Sequence, residues 1–160
     1  MAQIIDFSAY RLGLIHTPQP RLLRLGAALV GLSPPPKIDW HQAISLDGDA
    51  LGNDQASNCV EAAVLRAIQI MRAVSAGDTR KPTAAEAFAL YRLWNPDWDG
   101  VPGSATDLGT RSDIASAGWG AAGVPWGEQW LDLPAIAAFS PAVVSHLRAA
   151  IAYLGPVQID

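Results

Sequence analysis

A long apolar helical segment near the middle of the chain constrains the fold more than any other feature. From residue 60 onwards apolar residues recur at helical spacing, at Val60, Val64, Ala67, Ile68 and Met71. Leu65 and Ile70 lie off that stripe, so this helix is apolar on more than one side. A helix with that pattern is normally surrounded by the rest of its domain. We therefore expect a central helix on which the other elements pack.

Signals at both ends of the segment mark where this helix begins and ends. Asn58 and Glu61 have the spacing of a capping box, with Asn in place of Ser or Thr. Gly77 is a favourable terminator, because glycine readily adopts the left-handed conformation that closes many helices. The sequence predicts a helix that occupies most of residues 58–77.

Further helices are predicted on the same grounds. Thr83 and Glu86 form a second capping box, which precedes an apolar stripe at Ala84, Ala87, Phe88, Tyr91 and Trp94. A third helix is expected from about residue 109 to residues 118–120. A fourth is expected after Ser140 and Pro141, with its stripe at Val144, Leu147, Ile151 and Leu154. Residues 95–109 have the composition of a loop, and residues 123–133 are expected to hold a short strand.

The two ends of the chain differ from this helical middle. Residues 1–36 form a proline-rich, extended or helical lead-in, with one short helix expected within 20–32, and residues 37–160 form the domain. After Gly155 and Pro156 the pattern becomes extended. A strand needs hydrogen-bonding partners, so we expect the 155–160 strand to pair with a protein partner, a second copy of this chain or a rare upstream strand.

Charge and composition exclude several classes of function. The chain has 160 residues, which suits one domain, and its net charge is −4. Nucleic-acid binding needs a basic face, so it is not expected. The apolar run at 25–32 is too short to span a bilayer, and no signal peptide is evident, so a soluble protein, either cytoplasmic or virion-associated, is expected. A single cysteine excludes an internal disulfide.

No cofactor or metal site is expected. The chain lacks a glycine-rich phosphate loop, and its histidines are too scattered to form a zinc site with one cysteine. Residues 97–100 match only part of a calcium loop. The three acids near residue 50 are interpreted as solvated turn residues: Asp47, Asp49 and Asp54. The tryptophans at 94, 98, 119, 126 and 130 are interpreted as core or loop anchors rather than sugar-stacking residues.

Cys59 is the residue with the most reactive side chain in the predicted helices. At the first turn of a helix, free backbone N–H groups and the helix dipole stabilise a thiolate. The same placement also suits a small buried residue, since a free cysteine is often buried. Glu61 would oppose a thiolate if its charge lay close. Both interpretations remain open on placement alone.

The segment from Pro34 to Ala67 resembles the opening of papain-like cysteine peptidases, and in particular a papain-like family of bacterial and phage genomes. Asp39-Trp40 is similar to the opening strand of that family, and Gly52-Asn53-Asp54, a short spacer and Cys59 are similar to its nucleophile motif. The resemblance implies that Cys59 is the nucleophile. It implies that Asn53 is an oxyanion-hole donor, with Gln55 as an alternative donor.

Two later segments extend the resemblance to about residue 160. Residues 106–124 are similar to the family's Gly-Thr segment, which leads into a helix and a tryptophan-containing glycine turn. Residues 149–160 are similar to the Gly-Pro-Val strand that precedes its catalytic histidine. The resemblance implies an α+β papain-like fold, made of the helical lobe and the first strand of the β lobe.

The resemblance leaves the general base unassigned. No histidine follows the Gly-Pro-Val segment in these 160 residues, and His16, His41 and His146 are interpreted as structural or solvent-facing. One hypothesis is therefore a thiol hydrolase of the peptidase or amidase class, acting on a peptide or amide substrate, that is catalytically incomplete as this chain alone. The alternative is a non-catalytic structural protein, such as a phage or prophage virion component, whose terminal strand a neighbouring chain completes.

Overall fold

The computed structural model describes residues 23–24, 33–45, 48–131, 137–138 and 148. In this part of the chain the fold is mixed α+β. The helices are α1 (Cys59–Ala76), α2 (Ala84–Trp94) and α3 (Ser112–Ala122), and a 3₁₀ turn spans Trp40–Ala43. The strands are β1 (Leu23–Arg24), β2 (Val124–Trp126), β3 (Gln129–Leu131) and β4 (Ala137–Ala138).

Helix α1 is the central element, as the sequence predicted. The 3₁₀ turn, α2 and α3 all pack against it. Its buried apolar residues cover more than one side of the helix and include Val60, Val64, Leu65, Ile68 and Ile70. Met71 belongs to the predicted stripe but is exposed, with 38% of its surface accessible.

The predicted capping box at the start of α1 is wrong. The Asn58 side chain makes no capping hydrogen bond. Its Nδ2 instead donates to the carbonyl of Leu51 at 3.0 Å, while the Glu61 carboxyl turns into the interior and accepts from Thr110. Both side chains therefore bond to partners outside the cap and do not form the reciprocal capping hydrogen bonds. The predicted end is confirmed, since Gly77 is left-handed, with φ of 65°, and its N–H donates to the Ala73 carbonyl.

Helix α2 begins with the capping box that the sequence predicts. Thr83 accepts from the Glu86 backbone N–H, and the Glu86 side chain accepts from the Thr83 N–H in return. The buried face consists of Ala87, Leu90, Tyr91 and Trp94. Trp94 belongs to the main core with α1 and Trp126, whereas Tyr91 belongs to a second cluster with Ala56 and Trp98.

Helix α3 and the segment after it differ from the prediction in their limits. The helix runs to Ala122, because Gly118 and Gly120 are accommodated inside it instead of ending it. The single predicted strand is an antiparallel hairpin of β2 and β3, closed at Gly127, whose φ of 64° suits a two-residue turn. Trp119 is therefore helical, and Trp126 and Trp130 lie in strands, not in loops.

The first and fourth strands form a separate parallel pair. Leu23 pairs with Ala137, and Arg24 pairs with Ala138. The predicted helix within 20–32 is therefore wrong at Leu23 and Arg24, where a distant part of the chain supplies hydrogen-bonding partners. The rest of the 1–32 segment, most of the predicted fourth helix and the 155–160 strand lie outside the described residues. Among the helices that the structure describes, none combines the length and apolarity needed to span a membrane.

Candidate functional site

A tightly wound loop, residues 51–58, leads into the N-terminus of α1. Leu51 and Gly52 are both left-handed, with φ of 53° and 79°. Glycine adopts this conformation readily, whereas leucine adopts it at a cost on the order of 1 kcal/mol. Leu51 is nevertheless fully buried, so packing holds it in place. A Cβ at Gly52 would lie 2.5 Å from Cε1 of Phe88, so any other residue here would displace the partly buried Phe88 ring.

Asp107, in the loop between α2 and α3, anchors this loop from outside. Its Oδ1 accepts from the Ser57 N–H at 2.9 Å and from the Tyr91 hydroxyl at 2.9 Å, and its Oδ2 accepts from the Gly103 N–H at 2.7 Å. Burial alone would raise the pKa of Asp107, but these hydrogen bonds hold that pKa below its usual value. The carboxylate therefore fixes the residues that directly precede Cys59.

Cys59 is the first residue of α1. It is partly buried, packs against the main core, and is not in a disulfide. Cys59 is therefore neither a fully buried core residue nor a fully exposed one. At this position it lies at the positive end of the helix dipole, where a negative charge is stabilised.

Glu61 shares the first turn of α1 with Cys59, and its side chain is fully buried. Its Oε1 accepts from the Thr110 hydroxyl at 2.6 Å, and Thr110 in turn accepts from the Asn95 side-chain amide. Its Oε2 has no hydrogen-bond donor among the described residues. Burial raises the pKa of Glu61 to about 7, although the Thr110 hydroxyl and the residue's own N–H lower it in part.

The two predicted oxyanion donors have different environments. Asn53 lies in the turn of the loop and is half-buried, and its Oδ1 is buried without a donor in the described part of the chain. Gln55 is exposed on the same turn. The Asn53 side chain is therefore more enclosed by the protein than that of Gln55.

The described part of the chain shows no histidine side chain at this site. His16 and His146 lie outside them. The backbone of His41 belongs to the 3₁₀ turn that packs against α1. The structure thus places Cys59, Asn53 and Glu61 at one end of α1 without locating a general base.

Two of the acidic residues that were considered as metal ligands, Asp99 and Asp49, have structural partners. Asp99 accepts from the Val101 N–H and the Ser104 hydroxyl, which closes its own loop. Asp49 accepts from the Leu51 N–H, and Asp54 is exposed. Over the ranges that the structure describes, no group of histidine, cysteine and acidic residues is arranged to hold a metal ion.

Sequence reasoning missed two residues of this site, Asp107 and Thr110. Each lies about fifty residues from its partner near Cys59, and residues 106–110 were predicted as loop and helix start. Thr110 is fully buried despite its polar side chain. The one available signal was that both residues lie in the "Thr-Asp-Leu-Gly-Thr" stretch, residues 106–110, where the resemblance to the papain-like family places its Gly-Thr segment.

Comparison with known proteins identifies no relative: no family model, no curated protein and no solved structure matches the chain. The features that define the site are therefore those of the chain itself.

Proposed function

We propose that this chain carries the nucleophile and the oxyanion donor of a papain-like thiol hydrolase that acts on peptides or related amides. In this proposal Cys59 attacks the substrate carbonyl and Asn53 donates to the resulting oxyanion. One observation supports it above the others. The loop that precedes Cys59 is held by Asp107 from outside and by Asn58 from within, and it leads to a partly buried Cys59 at the N-terminus of α1.

The loop has the rigidity that such a site requires. Asn58 bonds the start of the helix back to Leu51, and Asp107 bonds Ser57 from the opposite side. An oxyanion donor contributes most when its position is fixed before the reaction. A half-buried Asn53 on this loop meets that condition better than the exposed Gln55.

A thiol hydrolase also needs a base that accepts the thiol proton and returns it to the leaving amine. We propose that a histidine outside the described residues supplies this group. The papain-like assignment, the helical-lobe architecture and the substrate class are parts of the same proposal, and they are supported by the residues around Cys59 and by the mixed α+β fold.

Turnover of a library of fluorogenic peptide amides tests this function. We expect hydrolysis by the intact gene product and none by its Cys59→Ala variant. Asn53→Ala should lose roughly 100-fold or more in kcat, as expected for an oxyanion donor, whereas a larger loss in Gln55→Ala would transfer that role to Gln55. Equal cleavage by wild type and Cys59→Ala, or no cleavage of any substrate, would contradict the proposal.

A second candidate is a non-catalytic interaction protein, such as a phage or prophage virion component. Two exposed apolar side chains favour it: Leu108 is 72% exposed and Trp130 is 57% exposed. Large apolar residues at a surface are enriched at protein interfaces. This function predicts a stable oligomer by light scattering that Trp130→Ser weakens, and a monomer at high concentration would contradict it.

A further inference from the structure

The most unusual polar group near Cys59 is the Glu61 carboxyl. It lies two residues further along the same first turn, and the side chain has 0% exposure. One oxygen accepts from Thr110 at 2.6 Å, while the other has no donor in the described part of the chain. A buried carboxyl with one unpaired oxygen is costly when it is charged.

The same helix end attracts both groups. The backbone N–H of Glu61 contributes to the stabilisation of its carboxylate, so the carboxyl lies at the amide end of α1. Cys59 is the first residue at that end. Two negative charges at one helix N-terminus repel each other and share the same stabilising groups.

We propose that Glu61 is a positioning residue that controls the reactivity of the Cys59 thiol. When its carboxyl is neutral, the N-terminus of α1 is free to stabilise the Cys59 thiolate. When the carboxyl is ionised, its charge opposes the thiolate. The inference deepens the proposed function and rests on it, because it describes the regulation of the proposed nucleophile.

Glu61 is the carboxyl near Cys59 whose charge is expected to change near neutral pH. Burial raises the pKa of Glu61 to about 7. Asp107, from the loop after α2, has its pKa held low and stays ionised, whereas burial raises the pKa of Tyr91 on α2, which stays neutral. At the start of α3, Arg111 and Asp113 form an exposed ion pair. The 3₁₀ turn that packs against α1 contains one histidine, His41.

The rate of iodoacetamide alkylation of Cys59, measured across pH in the full chain, tests the proposal. We expect Glu61→Gln and wild type to react equally at about pH 5.5, where both side chains are neutral. At neutral pH and above, the thiol of the variant should have a pKa up to about one unit below that of wild type, because only the wild type carries the opposing charge. The variant should therefore react faster at each pH where the wild-type thiol is still partly protonated. The ratio should change around pH 7 and should persist in a His41→Gln background.

Glu128→Gln provides the matched control. It also removes one carboxylate, but Glu128 lies in the hairpin turn beside Arg72 and Asp78, at the opposite end of the 18-residue α1. In the Glu128→Gln variant, Cys59 should be alkylated at the wild-type rate at every pH. A purely structural effect of Glu61→Gln would change the rate by one factor at all pH values, and that result would overturn the proposal.

Thr110→Val gives an independent measurement, which also covers the case in which Glu61→Gln does not fold. It removes the hydroxyl that stabilises the Glu61 carboxylate, so the pH at which the alkylation rate changes should rise. An unchanged profile would overturn the proposal. A different result is also informative: the ratio of alkylation rates depends on pH, but no peptide is hydrolysed. That result would contradict the proposed function and leave the role of Glu61 supported.

Discussion

The Asp107 carboxylate accepts a hydrogen bond at 2.9 Å from the backbone N–H of Ser57, fifty residues earlier in the chain. In a second hydrogen bond between the same two residues, the Ser57 hydroxyl donates to the Asp107 carbonyl at 3.3 Å. These contacts join the loop before Cys59 to the loop between α2 and α3. The approach to the proposed nucleophile is thus built by two segments that are distant in sequence.

Asp107→Asn is expected to lower the free energy of unfolding by about 2–3 kcal/mol, because an amide accepts through one oxygen only and directs its own N–H groups at donors. Urea unfolding at neutral pH measures the change. Asp113→Asn is the control, since Asp113 forms an exposed pair with Arg111 and should contribute little. Equal stability of the two variants would show that Asp107 does not anchor the loops.

Glu61→Gln is expected to change how stability depends on pH. The folded-state pKa of about 7 lies above the ordinary 4.5, so the neutral carboxyl stabilises the fold fully below about pH 4.5, and this contribution is lost as pH rises to about 7. The loss is on the order of 3 kcal/mol in wild type and absent in the variant. Urea unfolding at several pH values between these limits should show the two stabilities converging or crossing as pH rises. Parallel curves would contradict the burial of an ionisable Glu61.

Gly118→Ala is expected to destabilise the protein by about 1–3 kcal/mol, because the new Cβ would lie 2.5 Å from Cδ1 of Trp94 in the core. Gly120→Ala is the matched control in the same helix. Its Cβ would meet no atom within 4 Å, so it should stabilise by up to about 1 kcal/mol through helix propensity. Thermal unfolding of both variants measures the difference, and the same sign for both would contradict the packing of α3 on Trp94.

Gly52→Ala is expected to cost more stability than Gly48→Ala, although the two glycines have nearly equal φ values of 79° and 78°. Both variants pay about 1 kcal/mol for a left-handed alanine. Only Gly52→Ala also presses a methyl group against Phe88, since Gly48 has nothing within 4 Å. We expect about 1–3 kcal/mol of additional loss, measured by urea unfolding. Equal losses would show that Gly52 is required for its backbone alone.

The elements that depend on local pattern were predictable from the sequence. The apolar spacing from Val60 to Ile70 predicted a central helix, and Thr83 with Glu86 predicted a cap, because both depend on residues within a few positions of each other. The error at the start of this helix has its cause in hydrogen bonds made outside the cap. Asn58 and Glu61 have the right spacing for a cap but are drawn into tertiary hydrogen bonds with Leu51 and Thr110.

The candidate site was predictable only in part for the same reason. The position of Cys59 at the start of a helix follows from local sequence, and the structure confirms that position. The anchoring by Asp107 and the burial of Glu61 depend on partners about fifty residues away, which no local pattern reveals. The roles of Cys59, Asn53 and Gln55 in catalysis stay predictions.

We propose that Cys59 is an activated nucleophile in a site that binds acyl substrates. Covalent labelling of Cys59 by a peptidyl epoxide at about pH 6 tests this proposal. Intact-mass measurement should show one adduct per chain, absent in Cys59→Ala, that forms much faster than with a small-molecule thiol of ordinary pKa. It should also form faster than a non-peptidyl epoxide of equal reactivity. Labelling no faster than that of the ordinary thiol, or equal rates with the two epoxides, would contradict the account.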